Sequence, residues 1–477
     1  MPDSRPNFLI IMSDEHAPQV SSPYGHPFIQ TPAMQRLANQ GTVFQSSYCN
    51  SPLCVPSRAS FMTGRHLFRI GIWDNGAPLA SDEPTWAHRL NALGYDTALS
   101  GKMHFKGTDQ RHGFKERLVE DVHGPGDVGA PDWGAGIRDG GSRMHQRIEE
   151  AGPGDSTYQQ YDDEVTARAI AYLRDPARTR RPWALCASVI TPHFPLIVRQ
   201  PYFDRYFPAH ADRPAIPSGH LERQHPAAQR LRTHFSTRAY TDTQVARARA
   251  VYYGLITFCD EKIGQLLNTL EAEGLAENTV VVYVADHGEL YGEHGMWWKC
   301  SFYEQSARIP TIISWPGRFG GGQRVTGVVS LLDVVRTIVE LAGASDIWGL
   351  DGDSLVPLLE GRTNGWKDLA LVEYEGHGTI TPGRMVRRGR FKLNYYLGEP
   401  SELYDLVEDP GEFENLAGRR DYQEVEHELT KLVLDGWDPV AIHRQVLESQ
   451  RKRRIVLAGQ PHRPDGEWRS DSRPSRD

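Results

Sequence analysis

The run Thr279-Val280-Val281-Val282-Tyr283-Val284 constrains the fold of this chain more than any other stretch. It is β-branched and nearly all apolar, which suits a central strand of a parallel sheet, buried on both faces. Asn7-Phe8-Leu9-Ile10-Ile11-Met12 reads as a buried first strand, Tyr95-Asp96-Thr97-Ala98-Leu99 as another, and Trp183 to Ile190 as a fourth. Helical patterns lie between them, at Thr31 to Gly41, Pro84 to Leu93, Tyr161 to about Arg174 and about residues 243–273. The chain is therefore expected to be an α/β protein with a mainly parallel sheet between helices.

The residues just past each strand are the place to look for a site, because open α/β sheets bind ligands outside the carboxyl ends of their strands. The first strand ends at Ser13-Asp14-Glu15-His16, where Asp14 and Glu15 can hold a metal or merely cap a turn. The second is succeeded by Ser100-Gly101-Lys102-Met103-His104, and alternation in an extended segment puts Lys102 and His104 on one face. A cation and an imidazole facing one spot suit an anion site with proton transfer. The strand from Trp183 leads into Thr191-Pro192-His193-Phe194-Pro195, and the one from Thr279 into Asp286-His287-Gly288-Glu289, Gly292-Glu293-His294-Gly295 and Lys299. Cys54, in Ser51-Pro52-Leu53-Cys54-Val55-Pro56-Ser57-Arg58, precedes a helix that stops near Gly64, with Pro56 suited to its first position. Free N–H groups there favour negative charge. A lone buried cysteine is otherwise a small hydrophobe.

Taken together these segments resemble the type I sulfatases, whose Cys-x-Pro-Ser-Arg signature matches Cys54 to Arg58 and continues through Ala59-Ser60-Phe61-Met62-Thr63-Gly64-Arg65. Ser-Gly-Lys-Met-His, Asp109-Gln110-x-His112-Gly113-Phe114 and Tyr161-Asp162-Asp163-Glu164 are closest to the choline-sulfatase branch. The resemblance implies the alkaline phosphatase superfamily fold, with a smaller C-terminal antiparallel sheet. It implies that Cys54 is oxidised to formylglycine by a formylglycine-generating enzyme, and that the hydrated aldehyde attacks a sulfate ester. Asp14, Glu15, residue 54, Asp286 and His287 would hold one divalent metal. An otherwise all-oxygen shell suits Ca²⁺, while the imidazole leans towards Mn²⁺. Lys102 would contact the formylglycine, His104 assist its turnover, His193 contact the sulfate or protonate the leaving group, and Lys299 bind the anion. Arg58 would orient residue 54 as a rigid fork, and Asn75, in the turn Asp74-Asn75-Gly76, would contact substrate. Related phosphonate monoester hydrolases share the nucleophile, so a phosphonate monoester or phosphodiester substrate is the alternative. A non-catalytic anion-binding protein is the competing class. Choline sulfatases carry a tryptophan where this chain has Gly129-Ala130-Pro131-Asp132, and Trp133 is out of register, which disfavours choline sulfate. Glu373 and Glu375 are assigned to the leaving-group side.

Composition narrows the setting. A net charge of −8 over 477 residues argues against a general nucleic-acid binder. Five scattered cysteines suggest no disulfide framework, and the first apolar run is too short for a signal peptide or a membrane span, so a cytoplasmic location is expected. Residues 1–365 are expected to form the catalytic domain and 366–436 a small α+β subdomain. Residues 437–477 are expected to be helical and then disordered over the last fifteen or so, with Arg451-Lys452-Arg453-Arg454 a solvated face. By the resemblance this tail also serves as the arm of a homo-oligomer. Gly-, Asp- and Pro-rich residues 105–155 are expected to be long loops over the site.

Overall fold

The computed structural model describes residues 5–124, 131–137, 144–210, 212–237 and 239–459. Among these, the main sheet consists of β1 (Asn7–Asp14), β2 (Thr42–Tyr48), β3 (Asp96–Gly101), β4 (Glu116–Val119), β5 (Trp183–Pro192), β6 (Thr279–Ala285), β7 (Thr311–Ser314) and β8 (Gln323–Ser330). Their spatial order is β8-β2-β7-β6-β1-β5-β3-β4. All neighbours pair in parallel except β7, which runs antiparallel to β2 and β6. The expected mainly parallel sheet is thus present.

Strand β1 lies between β5 and β6, with Phe8 opposite both Ala184 and Val280, and every one of its residues is buried. Its side chains alternate between two layers of helices. Phe8, Ile10 and Met12 join the core under α2 (Cys54–Thr63), α3 (Trp86–Ala92) and α6 (Leu331–Leu341). Leu9 and Ile11 face α1 (Pro32–Gln40), α4 (Thr157–Arg174) and α5 (Asp242–Ala272). At about 1.5–3 kcal/mol for each large apolar side chain buried, the two layers hold the strand register firmly.

A second sheet comes later in the chain: β9 (Leu369–Tyr374), β10 (Gly383–Arg388), β11 (Phe391–Tyr396) and β12 (Glu402–Asp405), antiparallel throughout. Ala370, Val372 and Tyr374 turn to the main core. Val386, Leu393 and Leu403 instead pack on Leu429 and Val433 of α7 (Gln423–Leu434). The last described helix, α8 (Pro439–Gly459), lays Ile442 and Val446 on Trp73, Trp133 and Trp437.

Local structure departs from expectation at several points. Helix α2 begins at Cys54, with extended Leu53 as its cap, so Pro56 is its third residue; Gly64 closes it at φ +70°. Helix α4 starts at Thr157, capped by the Ser156 hydroxyl on the N–H of Tyr158, four residues before the expected Tyr161. Residues 105–155 are not all loop: Glu116–Val119 is the edge strand β4, and Met144–Glu149 is helical. Arg453 does not belong to a solvated face, being 6% exposed. Gly129, Ala130 and residues 460–477 lie outside the described residues. Among the described residues, no helix is long and apolar enough to cross a membrane.

Candidate active site

Strands β6, β1, β5 and β3 are consecutive neighbours and run the same way, so their carboxyl ends open on one edge. Onto that edge they deliver Asp286 and His287, Asp14 and Glu15, His193, and Lys102. The first turn of α2 adds Cys54. Donor atoms of Asp14, Cys54, Asp286 and His287 all lie within 4.8 Å of one another, and all four residues are buried. The Cys54 sulfur is 3.2 Å from His287 Nε2, 3.9 Å from Asp14 Oδ1 and 4.0 Å from Lys102 Nζ. The His287 Nδ1–H is directed at the Gly288 carbonyl at 3.0 Å, which leaves Nε2 facing the cluster with its lone pair.

Arg58, 1% exposed, ties this cluster together. Its Nε donates to Asp286 Oδ2 at 2.8 Å and its Nη2 to Asp14 Oδ2 at 2.9 Å. Nη1 donates to the Lys102 carbonyl and to Ser188 Oγ, at 2.7 and 2.9 Å. Each aspartate therefore spends one oxygen on the guanidinium. The Lys102 ammonium lies 2.5 Å from the same Asp14 oxygen, Oδ2. Burial by itself would raise the Asp14 carboxyl, but Lys102, His193, Arg58 and His287 hold it well below the usual carboxylate range. Burial, then the Asp14 charge, pushes the Cys54 thiol up to about 12, so the unmodified sulfur is no nucleophile near neutrality.

Beside this group sits a second one. Lys299 Nζ is 2.9 Å from Glu15 Oε2 and 2.7 Å from His193 Nε2, and that nitrogen is 3.3 Å from Glu15. His193 Nδ1 donates to the Phe194 carbonyl at 2.6 Å, so the lone pair on Nε2 meets the ammonium. Burial and then Lys299 hold the His193 imidazole well below its usual range. The expected place of Glu15 is among the ligands around Cys54. Its donor atoms group instead with Asp14 and His193, because φ of +66° at Glu15 swings its side chain towards Lys299. Burial and the neighbouring Glu289 raise its carboxyl against the pull of Lys299.

The segment after β3 is not regular extended chain. Strand β3 ends at Gly101 (φ +101°), where a Cβ would meet the Ser188 carbonyl at 2.2 Å, and His104 has φ +61°. Lys102 reaches the cluster, and the His104 ring lies beside His123, with centroids 4.5 Å apart, within electrostatic reach of Lys102 and Arg58. Burial, His123 and Lys102 depress the His104 imidazole well below its usual range. Asn75 lies at the cluster's rim, where its Oδ1 accepts the Val55 N–H at 3.0 Å. Glu373, on β9, and Glu375, just after it, do not join the cluster and have other neighbours. Glu373 accepts the Phe68 N–H at 3.1 Å and faces His66, and Glu375 interacts with Glu373 and Arg384.

Three residues of the site are given no role by the sequence reading. Asp121 accepts the backbone N–H groups of Met103 and His104, at 2.8 and 2.5 Å, and so fixes the turn after β3. His123 lies two residues on. Glu289 accepts the N–H groups of Tyr291 and Trp298, at 2.8 and 2.6 Å, and pins the loop that carries Lys299. The Glu289 carboxylate stands directly after the Asp-His-Gly run, which is the one cue to its place.

The donor set fits a divalent cation. Each aspartate has a second oxygen, Oδ1, on the cluster side, His287 adds a lone pair, and the buried Glu15 carboxyl, beside Glu289, adds a further oxygen. Among Asp14, Glu15, Asp286, Arg58, Lys102 and Lys299 the carboxylates and cations are equal in number, so a bound dication would leave net positive charge for an anionic ligand.

Comparison with known proteins agrees with this geometry. Residues 6–344 match the family described as sulfatase, and residues 292–436 the family described as N-sulphoglucosamine sulphohydrolase, C-terminal. The chain is 37% identical over 479 residues to the choline-sulfatase of Rhizobium meliloti (strain 1021), covering 96% of this chain and 91% of that one. It is 28% identical to arylsulfatase K of Gallus gallus, covering 87% and 79%. Its fold is similar to the crystal structure of the phosphonate monoester hydrolase of Agrobacterium radiobacter, with a TM-score of 0.75, 26% identity and coverage of 92% and 96%. With the signature cysteine and the ligand-like strand ends on one sheet edge, the chain belongs to the sulfatase family and is a sulfuric ester hydrolase.

Proposed function

We propose that the chain hydrolyses a small sulfate monoester, giving an alcohol and hydrogen sulfate, through a formylglycine derived from Cys54. The observation that carries this reading is the convergence of Cys54 with Asp14, Asp286 and His287, flanked by Lys102. Asp14, Glu15, Asp286 and His287 would hold the divalent cation, Ca²⁺ or, given the imidazole, Mn²⁺. When bound, that cation lowers the pKa of a hydroxyl on residue 54 and adds positive charge beside the ester. An aldehyde at this position is useful because its hydrate offers one hydroxyl to bond sulfur and a second whose deprotonation releases sulfate.

The remaining roles fall to the surrounding side chains. Arg58 fixes the start of α2 against both aspartates. Lys102 and Lys299 neutralise the sulfuryl oxygens, a contribution that grows in a buried, low-dielectric site. The Lys299 ammonium, held in place by the Nε2 lone pair of neutral His193, gives a proton to the leaving oxygen. His104, also neutral, removes the proton that frees sulfate. Asn75 has its amide N–H groups to offer the ester, since its oxygen is occupied by Val55. Maturation by a formylglycine-generating enzyme, a homo-oligomeric assembly and a cytoplasmic location belong to the same reading.

Two observations favour a second substrate class: His287 supplies an imidazole in place of an oxygen donor, and the chain resembles a phosphonate monoester hydrolase in fold. A panel of aryl sulfate, aryl phosphodiester and aryl phosphonate monoester tests the choice. We expect the largest kcat/KM for the sulfate. A larger value for either phosphorus ester would transfer the assignment to that class.

A further inference from the structure

We infer that Arg453 on α8 is a positioning residue for the start of the nucleophile's helix, acting through Asp74 and Asn75, and that α8 thereby completes the substrate side of the site. This rests on the function proposed above.

The contacts form an unbroken chain. Arg453 Nη1 and Nη2 donate to Asp74 Oδ1 and Oδ2, each at 2.6 Å, in a fork between residues 379 apart in sequence. Asp74 is 0% exposed. Its Oδ1 also accepts the Gly76 N–H at 2.9 Å and its carbonyl the Ala77 N–H at 3.1 Å, so the carboxylate shapes the turn that carries Asn75. Asn75 in turn accepts the Val55 N–H, one of the first N–H groups of α2, which have no partner within the helix. A side chain on the last described helix thus controls the residue next to Cys54.

Charge gives a second reason for the pair. The His377 imidazole interacts electrostatically with Asp74, Lys299 and Arg453, so Asp74 and Lys299 share this neighbour. An uncompensated Asp74 would repel an anionic ester, and Arg453 cancels the charge. Helix α8 holds neighbouring segments as well. Gln450 Oε1 accepts the Trp133 N–H at 3.1 Å, Arg454 pairs with Asp132, and Trp133 Nε1 points at the Gly376 carbonyl at 3.5 Å.

The test compares Arg453→Met, Arg453→Lys and Arg453→Met/Asp74→Asn with the full-length, aldehyde-bearing, metal-loaded protein. Arg230→Gln, which removes an ion pair to Glu399 elsewhere, serves as the control. Steady-state kinetics with the best ester of the panel is read beside amide hydrogen exchange at Val55. Arg453→Met is expected to raise KM about tenfold or more and to speed Val55 exchange, at unchanged aldehyde and metal content. The double variant should recover only part of KM, because the repelling charge is gone while the turn stays loose, and Val55 exchange should stay fast. Arg453→Lys keeps the charge without the fork, so KM should rise less and Val55 exchange should still quicken; it also answers the question if the methionine variant does not fold. Unchanged KM and unchanged Val55 protection in the folded variants, or equal effects in Arg230→Gln, would overturn the inference. If the parent protein turns over none of the esters, the sulfatase reading fails by itself, and Val55 exchange alone decides the role of Arg453.

Discussion

The two sides of the site are built differently. The chemical side is a row of four adjacent strand ends, in which Asp14, Lys102, His193 and Asp286 occupy positions dictated by main-chain register. The side proposed to meet the substrate comprises residues 73–76, 132–133 and 376–377, which belong to no common element; α8 holds the first two segments through side chains, and Trp133 reaches the third. Backbone register leaves the first side little freedom. The second can be re-cut by changing a loop or a contact on one helix, which suits a fold that keeps one reaction and varies its esters.

The largest effects should come from the strand-end side. Cys54→Ala should lower kcat/KM by about a thousandfold or more, since no other group there can form the bond to sulfur; retained turnover would remove the proposed nucleophile. Chelation should abolish activity and lower the unfolding temperature, as the buried carboxylates lose a counter-ion; restoring the protein with Ca²⁺ or Mn²⁺ in turn identifies the metal, and an inert response would dissolve the cation site. Arg58→Met leaves Asp14 and Asp286 buried without their shared partner, and should cost about 3–5 kcal/mol in denaturant titration. A cost below about 1 kcal/mol would mean that the aspartates are compensated otherwise.

Smaller effects are expected on the other side. Trp133→Ala should weaken the seat of α8 and raise KM several-fold at nearly constant kcat; a matching loss in kcat would show that the two sides are not separable. His234, stacked with His377 at 6.0 Å, is depressed to about 4 by burial and then by that neighbour. In the unfolded chain it titrates at about 6.5. The folded state therefore binds this proton less readily, and stability is complete above pH of about 6.5 and drains away as pH falls towards about 4. His234→Gln should flatten that fall in the denaturation midpoint; an unaltered slope would assign the acid lability to other histidines.

Legibility in the residues divides along the same line. Thr279 to Val284 announces a buried strand because its neighbours in sequence are also its neighbours in burial, and Asp286 must then lie at the strand's end. The helix from Cys54 is readable from Gly64 and the apolar residues between. Glu15 defeats the reading because it takes a positive φ that no pattern of alternation contains. Arg453 looks in sequence like one more charge on a solvated helix. Its partner is Asp74, and nothing near either residue in the sequence marks the pairing. Strand β4 gives no cue, since a short edge strand buries too little apolar surface to raise a pattern.

The burial of Cys54 sets a clock. At 1% exposure, beneath the ends of four strands and with Arg58 locked behind it, the sulfur is out of reach of any enzyme once α2 has docked. Under the proposed function, whatever converts it to the aldehyde must act on the nascent or unfolded chain, in competition with a collapse that closes access. The fraction of active molecules in a preparation is then decided at synthesis. It records how folding speed compared with the supply of the maturing enzyme, and later addition of that enzyme to folded protein cannot raise it.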